Sequence, residues 1–319
     1  MARNITRMKL EGIHHITCIT GDAPRNVDFY ARVMGLRMVK KTVNQDQPTI
    51  YHLFYGDEHG SPGHDLTFFE FPGVERGRAG AGMVHRLVHR VGSEDTLDFW
   101  ADRLGGEGIE TRRDGGSLVF ADPEGLEHEL AVFEVPDPPL IAHAAEVPDE
   151  HALQGFEAVR ALTRDPDASR TLLEGGLAFE LRGDIEWEAR GQERGGRMIY
   201  DPSDTPGESG AGTVHHVAWS VGMEEQDAWR ERVIKAGAHP TPVIDRFWFR
   251  SVYFREPSGV LFELATRGPG FTADEPLETL GEALTLPPDY EHMREQLEQI
   301  LTPLPDPSQW RRAKTSDVT

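Results

Sequence analysis

Hydrophobic and polar residues alternate in four separate runs of the chain, and each run predicts the first strand of a repeated unit. The runs read IHHITCIT, VHRLVHRV, FEAVRALT and VHHVAWSV. Alternation with β-branched residues is typical of strands with one buried face. Each run is followed by a segment with helical periodicity, such as NVDFYARVMG, which Gly35 is expected to end. Further short alternating runs come next, so the unit has the predicted order βαβββ and is used four times.

Four βαβββ units predict an α+β fold in which the units associate in pairs. One unit is half of an open barrel and cannot bury its sheet alone, so four units predict two open mixed-sheet barrels. Residues 8–135 hold units one and two, the Pro-rich segment 136–151 is the predicted linker, and residues 152–268 hold units three and four. A tail follows over 269–319, with one helix predicted over 289–301 and a disordered end over 311–319.

The composition excludes several roles. The 319 residues carry a formal net charge of −21, so we expect neither nucleic acid nor a membrane surface as a partner, because both attract basic faces. Cys18 is the single cysteine, which excludes an intramolecular disulfide. The first residues lack an apolar signal core and no run is long enough to span a membrane, so we expect a cytoplasmic protein. The oligomeric state is open, and a homo-oligomer is compatible with the sequence.

Two of the strand-forming runs begin with a pair of histidines, His14–His15 and His215–His216. Neighbouring strand residues face opposite sides, so we expect one member of each pair to enter the cup formed by the sheet. The second His of each pair shares its face with smaller, more polar residues, which favours His15 and His216. The run VLFELAT places Glu263 inside an apolar strand, where a carboxylate must be paired or metal-bound. These three residues predict a 2-His-1-carboxylate metal site with positions open for substrate and oxygen.

The other units do not repeat this set of ligands. In unit two the second His is replaced by Arg86, although Glu129 aligns with Glu263, and we expect Arg86 and Glu129 to form a structural ion pair. In unit three the same position falls on Glu157, and in unit one Phe69 aligns with Glu263. Only units one and four together supply two His and one Glu. We therefore predict that unit one pairs with unit four, and unit two with unit three.

The segments LEGIHHITCITGD, HHVAWSV, FRSVYFREPSGVLFELAT and PGFTADE resemble the vicinal oxygen chelate superfamily. Within it, the chain from about Leu10 to Leu304 is most similar to the hydroquinone-type ring-cleaving dioxygenases. The resemblance implies that His15, His216 and Glu263 bind Fe(II), or less often Mn(II). It also implies extradiol-type cleavage of a small aromatic diol, a hydroquinone or a catechol, with dioxygen as the second substrate.

The resemblance further implies polar residues that support the ligands, namely His14, Thr17, His215, Arg246 and Tyr253. Histidines there could shuttle protons, since imidazole titrates near neutral pH, and Tyr253 could donate a hydrogen bond to bound oxygen or substrate. A cross-strand role for Tyr253 and a loop-capping role for Arg246 are the alternatives. We expect the remaining histidines of the strands and loops to be surface or structural residues; these are His52, His64, His85, His89 and His128.

Two other functions stay open at this point. A lyase or isomerase of the glyoxalase type acts on a thiol adduct with a divalent metal such as Zn or Ni, and usually has a second carboxylate ligand that is missing here. A non-catalytic small-molecule binding protein can keep the barrel without a metal, and the intact set of ligands weighs against it. Oxygen uptake with a hydroquinone distinguishes the dioxygenase from both alternatives.

Overall fold

The computed structural model describes residues 8–312 and contains the four predicted units. Unit one holds the strands β1 (Ile13–Thr20), β2 (Arg37–Asn44), β3 (Gln47–Gly56) and β4 (Asp65–Glu70). Unit two holds β5 (Met83–Val91), β6 (Thr111–Asp114), β7 (Ser117–Ala121) and β8 (Glu127–Val132). Unit three holds β9 (Phe156–Thr163), β10 (Glu180–Gly183), β11 (Glu186–Arg190) and β12 (Gly195–Pro202). Unit four holds β13 (Val214–Val221), β14 (Ile244–Asp245), β15 (Arg250–Arg255) and β16 (Leu261–Thr266).

The strands form two eight-stranded mixed sheets. The first has the order β14-β15-β16-β13-β1-β4-β3-β2, and the second has the order β10-β11-β12-β9-β5-β8-β7-β6. In the first sheet β1 pairs antiparallel with β13, and in the second β5 pairs antiparallel with β9. Unit one is therefore joined to unit four and unit two to unit three, which confirms the predicted pairing and the α+β fold of two open barrels. Each sheet takes strands from both sides of segment 136–151, and the domain boundaries stay predictions.

A helical segment follows the first strand of each unit. The α-helices of units one, two and four are α1 (Ala23–Val27), α2 (Glu94–Gly106) and α3 (Gln226–Lys235). Helix α1 continues as a π-helix over Asp28–Val33, and unit three has only a π-helix, over Thr171–Gly176. Helix α2 begins at Ser93, whose hydroxyl accepts from the Thr96 amide. Gly35 adopts φ +66° directly after the first helical segment, which confirms the predicted stop.

The core lies between these helices and the outer faces of the sheets, so the inner faces are left to form the cups. Helices α2 and α3 insert the fully buried Trp100 and Trp229 against their sheets. Trp219 packs from strand β13 into the same core. Burying rings of this size accounts for a large share of the hydrophobic stabilisation, about 25 cal/mol for each Å² of apolar area removed from water.

The tail after β16 wraps back onto the first sheet. Phe271 and Leu280 pack with Trp248 and Phe249 in a small apolar cluster. The helix predicted over 289–301 is divided into a 3-10 helix over Pro288–Met293 and α4 (Arg294–Ile300). Lys40 of β2, fully buried, binds this tail through Asp274 at 2.9 Å and through Glu275.

Part of the chain end predicted to be disordered has defined contacts. Arg311 lies 2.7 Å from Glu58, and Arg312 lies 3.0 Å from Asp149, so these two residues correct that prediction. The rest of the predicted disordered end, residues 313–319, lies outside the described residues, as do residues 1–7. Within residues 8–312, no helix is long and apolar enough to cross a membrane.

Candidate metal centre

Three neighbouring strands of the first sheet place His15, His216 and Glu263 on the same inner face. Strand β1 pairs with β13 so that His15 lies opposite Ala218, and β13 pairs with β16 so that Ala218 lies beside Glu263. His216 is two residues from Ala218 and therefore shares its face. All three side chains are buried, and Glu263 is completely inaccessible. Among residues 8–312, this is the one group of His, Cys, Asp and Glu side chains close enough to hold a metal ion.

The distances within this group fit one metal ion. His15 Nε2 and His216 Nε2 lie 3.2 Å apart, and Glu263 Oε2 lies 3.2 Å from the first and 2.9 Å from the second. Bonds from a metal to N and O are about 2.0–2.2 Å, so ligands at right angles stand about 3.0 Å apart and tetrahedral ligands about 3.4 Å apart. The triangle therefore matches three ligands on one face of an octahedron better than a tetrahedral set.

The buried carboxylate of Glu263 needs a positive charge next to it. Within residues 8–312 neither carboxylate oxygen of Glu263 has an aligned hydrogen-bond donor, although both histidine nitrogens are close. Burial alone raises the pKa of Glu263, but His15 and His216 outweigh it and hold the pKa well below its usual range. An ionised carboxylate without hydrogen bonds in a dry site needs a cation beside it. A divalent ion among the three donor atoms meets this need, so the residues present fit the predicted metal.

Hydrogen bonds of His14 fix which nitrogen of His15 is free. His14 Nε2 lies 3.1 Å from the Thr266 carbonyl, which can only accept, so this nitrogen carries the proton. In neutral His14 the Nδ1 atom is then an acceptor, and His15 Nδ1, 3.0 Å away, donates to it. Burial and the nearby His15 lower the pKa of His14 to about 3, which keeps it neutral. His15 Nε2 is therefore the nitrogen available to a metal ion, and it faces the other two ligand atoms.

The first histidine of each pair is not turned completely away from the second. His14 lies 3.0 Å from His15, and His215 Nδ1 lies 2.8 Å from His216 Nδ1. Strand β1 has a register shift between Ile13 and His15, so strict alternation is interrupted there. The second His of each pair reaches the triangle, and the first contacts it from the side; His215 also lines the cavity beside the triangle.

A cavity of about 330 Å³ opens beside the triangle and is largely aromatic. Phe249 packs on His15 with ring centroids 5.2 Å apart, and Tyr253 meets the edge of His216 at 5.6 Å. Phe54, Phe69 and Trp248 line other parts of the wall. These dimensions suit a small aromatic molecule, because ligand sites are concave, mostly apolar and have few polar groups.

Two of the predicted supporting residues lie together at the edge of this cavity. The Arg246 guanidinium lies 5.5 Å over the Tyr253 ring and forms two hydrogen bonds to Asp46, of 3.0 and 2.8 Å. Burial and the charge of Glu263 raise the pKa of Tyr253 above its usual value, so its phenol stays protonated. Asp46 follows β2 in unit one, and it contributes an ion pair across the two units that the sequence did not predict.

Strand register corrects two alignments of the sequence. Thr17 pairs with Thr67 in unit one as Ala218 pairs with Glu263 in unit four, so Thr67, and not Phe69, takes the place of Glu263. Val88 pairs with Ala158 in the second sheet as Thr17 pairs with His216 in the first, so Ala158, and not Glu157, takes the second-His position of unit three.

The equivalent face of the second sheet holds an ion pair. Arg86 Nη1 lies 3.0 Å from Glu129. This pairing is the one expected from the sequence, and Glu157 is bound to Arg90 at 2.6 Å. The second cup therefore repeats the carboxylate of the first and not its histidines.

His52 is the residue of the site that sequence reasoning missed. It was expected to be a surface or structural residue, but it lines the cavity and its ring lies 3.9 Å from Phe54 and 4.4 Å from Phe69. His52 and Phe54 are two residues apart on β3, so alternation within YHLFYG was the signal that could have placed both in the cup. The other histidines of that group, His64, His85, His89 and His128, do not line this cavity.

Comparison with known proteins agrees with this fold and site. The family model described as Glyoxalase/Bleomycin resistance protein/Dioxygenase superfamily matches residues 12–130 and 155–264. "Putative ring-cleaving dioxygenase MhqO" of Bacillus subtilis is 41% identical over 305 residues, which cover 92% of this chain and 97% of that protein. The "Chlorohydroquinone/hydroquinone 1,2-dioxygenase" of Sphingobium indicum is 31% identical over 315 residues, covering 91% and 95% respectively.

A solved structure extends the agreement to the whole fold. The crystal structure of a "putative dioxygenase" from Bacillus subtilis is 38% identical and has a TM-score of 0.86, covering 93% of this chain and 98% of that chain. The chain belongs to the glyoxalase/bleomycin resistance protein/dioxygenase superfamily. Similarity over nearly its whole length to proteins named as ring-cleaving dioxygenases confirms the predicted enzyme class.

Proposed function

We propose that His15, His216 and Glu263 hold one divalent ion, Fe(II) with Mn(II) as the alternative, and that the enzyme cleaves the ring of a hydroquinone or catechol in the extradiol manner. The observation that carries the proposal is the triangle of donor atoms, 2.9–3.2 Å apart, in the wall of an aromatic cavity. When bound, such an ion supplies a coordination site for a diol oxygen and for dioxygen.

The overall reaction balances with dioxygen as the one co-substrate. The ring bond between a hydroxyl-bearing carbon and its neighbour breaks, and both oxygen atoms are added to the two carbons that separate. One of them becomes a carboxylic acid and the other an aldehyde or a ketone. No organic cofactor is needed, since the electrons come from the diol. One molecule of oxygen is consumed for each molecule of diol.

The residues around the ligands have distinct proposed roles. His14 holds His15 in the tautomer with a free Nε2, and His215 contacts His216 in the corresponding way. Tyr253 keeps its proton and can donate a hydrogen bond to a bound oxygen. Arg246, fixed by Asp46, holds positive charge at the edge of the cavity and orients the Tyr253 ring below it. Thr17 places its hydroxyl 2.9 Å from His216 Nε2, next to the position of the ion.

The donor set also weighs against the two alternatives. A glyoxalase-type enzyme usually has a second carboxylate ligand, and Thr67 occupies the position where unit one could supply it. A binding protein without chemistry has no need of two acceptor nitrogens and an ionised carboxylate at metal-ligand distances.

Oxygen uptake by anaerobically purified, Fe(II)-loaded protein tests the proposal. We expect hydroquinone, catechol or their methyl and chloro derivatives to consume oxygen in a one-to-one ratio and to give a ring-opened acid. If Ni- or Zn-loaded protein instead converts a glutathione hemithioacetal without oxygen uptake, the glyoxalase-type function is favoured. Metal-free protein and the His15→Ala variant serve as controls, and both should consume no oxygen.

A further inference from the structure

A row of close polar contacts leads from His216, a proposed metal ligand, to His52. Thr17 Oγ1 lies 2.9 Å from His216 Nε2, Thr67 Oγ1 donates to Thr17 Oγ1 at 2.8 Å, and His52 Nε2 lies 2.9 Å from Thr67 Oγ1. The row crosses the sheet from β13 through β1 and β4 to β3. Both threonines are completely buried, so water does not compete for these bonds.

This row fixes the protonation of His52. Thr67 has one hydroxyl proton, which it gives to Thr17, so it must accept from His52 Nε2–H. Burial lowers the pKa of His52 well below its usual value, so the imidazole is neutral. Its Nδ1 atom is therefore an acceptor. No group within residues 8–312 donates a hydrogen bond to Nδ1, and the ring lines the cavity.

The His52 ring is part of an aromatic section of the cavity wall. His52 packs on Phe54 and Phe69, and Phe69 lies 5.4 Å from the His215 ring. His52 makes no hydrogen bond to the three proposed ligands and is separated from His216 by two threonine side chains. The same cavity is therefore lined by the proposed metal ligands His15 and His216 and, two threonine side chains away from His216, by the neutral acceptor of His52.

We propose that His52 Nδ1 accepts a hydrogen bond from the diol hydroxyl that is not at the metal centre, and thereby selects rings with hydroxyls on opposite carbons. The inference rests on the proposed function. The hydroxyls of a catechol are adjacent and both fall near the ligands, whereas the second hydroxyl of a hydroquinone is held on the opposite ring carbon, away from the ligands. A substrate that lacks this hydroxyl leaves the acceptor without a donor. Such a substrate should bind less tightly than a hydroquinone, because a buried polar group is then unpaired.

Three variants separate the two nitrogens of His52. His52→Asn keeps a side-chain acceptor near the position of Nδ1 and loses the contact with Thr67. His52→Gln keeps a polar group near the position of Nε2 and loses the acceptor near Nδ1. His52→Phe removes both and keeps the packing on Phe54. Hydroquinone is compared with 4-methoxyphenol, which has the same ring but cannot donate from the para oxygen, and with catechol.

Two measurements are made on each variant: anaerobic calorimetric binding to the metal-loaded protein, and kcat/KM from oxygen uptake. We expect wild type to prefer hydroquinone over 4-methoxyphenol in binding by about 10-fold, the value of one hydrogen bond to a buried acceptor. His52→Asn should keep most of this preference, and His52→Gln and His52→Phe should lose it. Metal content and Tm are measured in parallel and should stay close to wild type.

The results separate the two proposals. If wild type consumes oxygen with hydroquinone but His52→Gln and His52→Phe discriminate as well as wild type does, the role of His52 is refuted and the proposed function stands. If no diol supports oxygen uptake, the proposed function fails, and the binding preference still decides the role of His52. A wild-type preference below about twofold also refutes the inference, even if every variant fails to fold.

Discussion

Replacing Glu263 by Gln tests the metal centre through protein stability as well as through metal content. Glutamine has the same shape but lacks the negative charge, and one of its two terminal groups can only donate hydrogen bonds. The site would keep two histidine nitrogens 3.2 Å apart and lose its single anionic ligand. We expect Glu263→Gln to purify without stoichiometric metal.

The size of the effect follows from linkage between metal binding and folding. Metal that binds only the folded protein stabilises it by about 2.7 kcal/mol when the free metal concentration is 100 times Kd. With an unfolding entropy of about 2.1 cal/mol/K per residue, 1 kcal/mol shifts the Tm of a 319-residue chain by about 1.5 °C. Chelation should therefore lower the Tm of wild type by about 4 °C. The same treatment should leave the Tm of Glu263→Gln unchanged.

Glu129→Gln is the matched control, because Glu129 occupies the equivalent strand position in the second sheet and is paired with Arg86. This variant should keep its metal and its chelator-dependent change in Tm. Differential scanning calorimetry with and without chelator, combined with elemental analysis, gives both readouts. Retention of stoichiometric metal and of the full Tm shift by Glu263→Gln would refute our assignment of the ligands.

Three further predictions concern other parts of the molecule. His14→Ala should keep most of its metal but reduce turnover 10- to 100-fold, because the partner of His15 Nδ1 is lost; metal loss as complete as in His15→Ala would contradict this. Burial lowers the pKa of His128 to about 3. The unfolded chain therefore binds the extra proton, and His128 by itself should contribute a loss of stability of about 1.4 kcal/mol per pH unit below pH 6.5. The unfolding free energy of His128→Gln, measured by chemical denaturation at several pH values, should depend less steeply on pH than that of wild type. An equal slope in the two proteins would contradict this role of His128. Lys40→Met should lower the unfolding free energy by about 3–5 kcal/mol, because it leaves Glu275 and Asp274 without their buried partner. A loss of less than about 1 kcal/mol in chemical denaturation would show that these ion pairs contribute little to stability.

Much of the fold could be predicted because its signals are local. The alternating runs, the helical segments after them and their fourfold repetition are properties of short stretches, since strand and helix periodicity act over a few residues. The histidine pairs and Glu263 could be singled out for the same reason, as polar residues inside strands that otherwise bury apolar side chains. Pairing of unit one with unit four followed from the need to bring those residues to one place.

The exact neighbours in the cup were decided only by the tertiary structure. Thr67, and not Phe69, lies at the position equivalent to Glu263, because the register between parallel strands is set when whole sheets pack, and a shift of two residues leaves the alternation pattern unchanged. His52 enters the site through a hydrogen bond to that same threonine. Asp46 reaches Arg246 although 200 positions separate them in the chain. Contacts of this kind have no periodic signature in the sequence, because they depend on how four units that are distant in the chain pack together in two sheets.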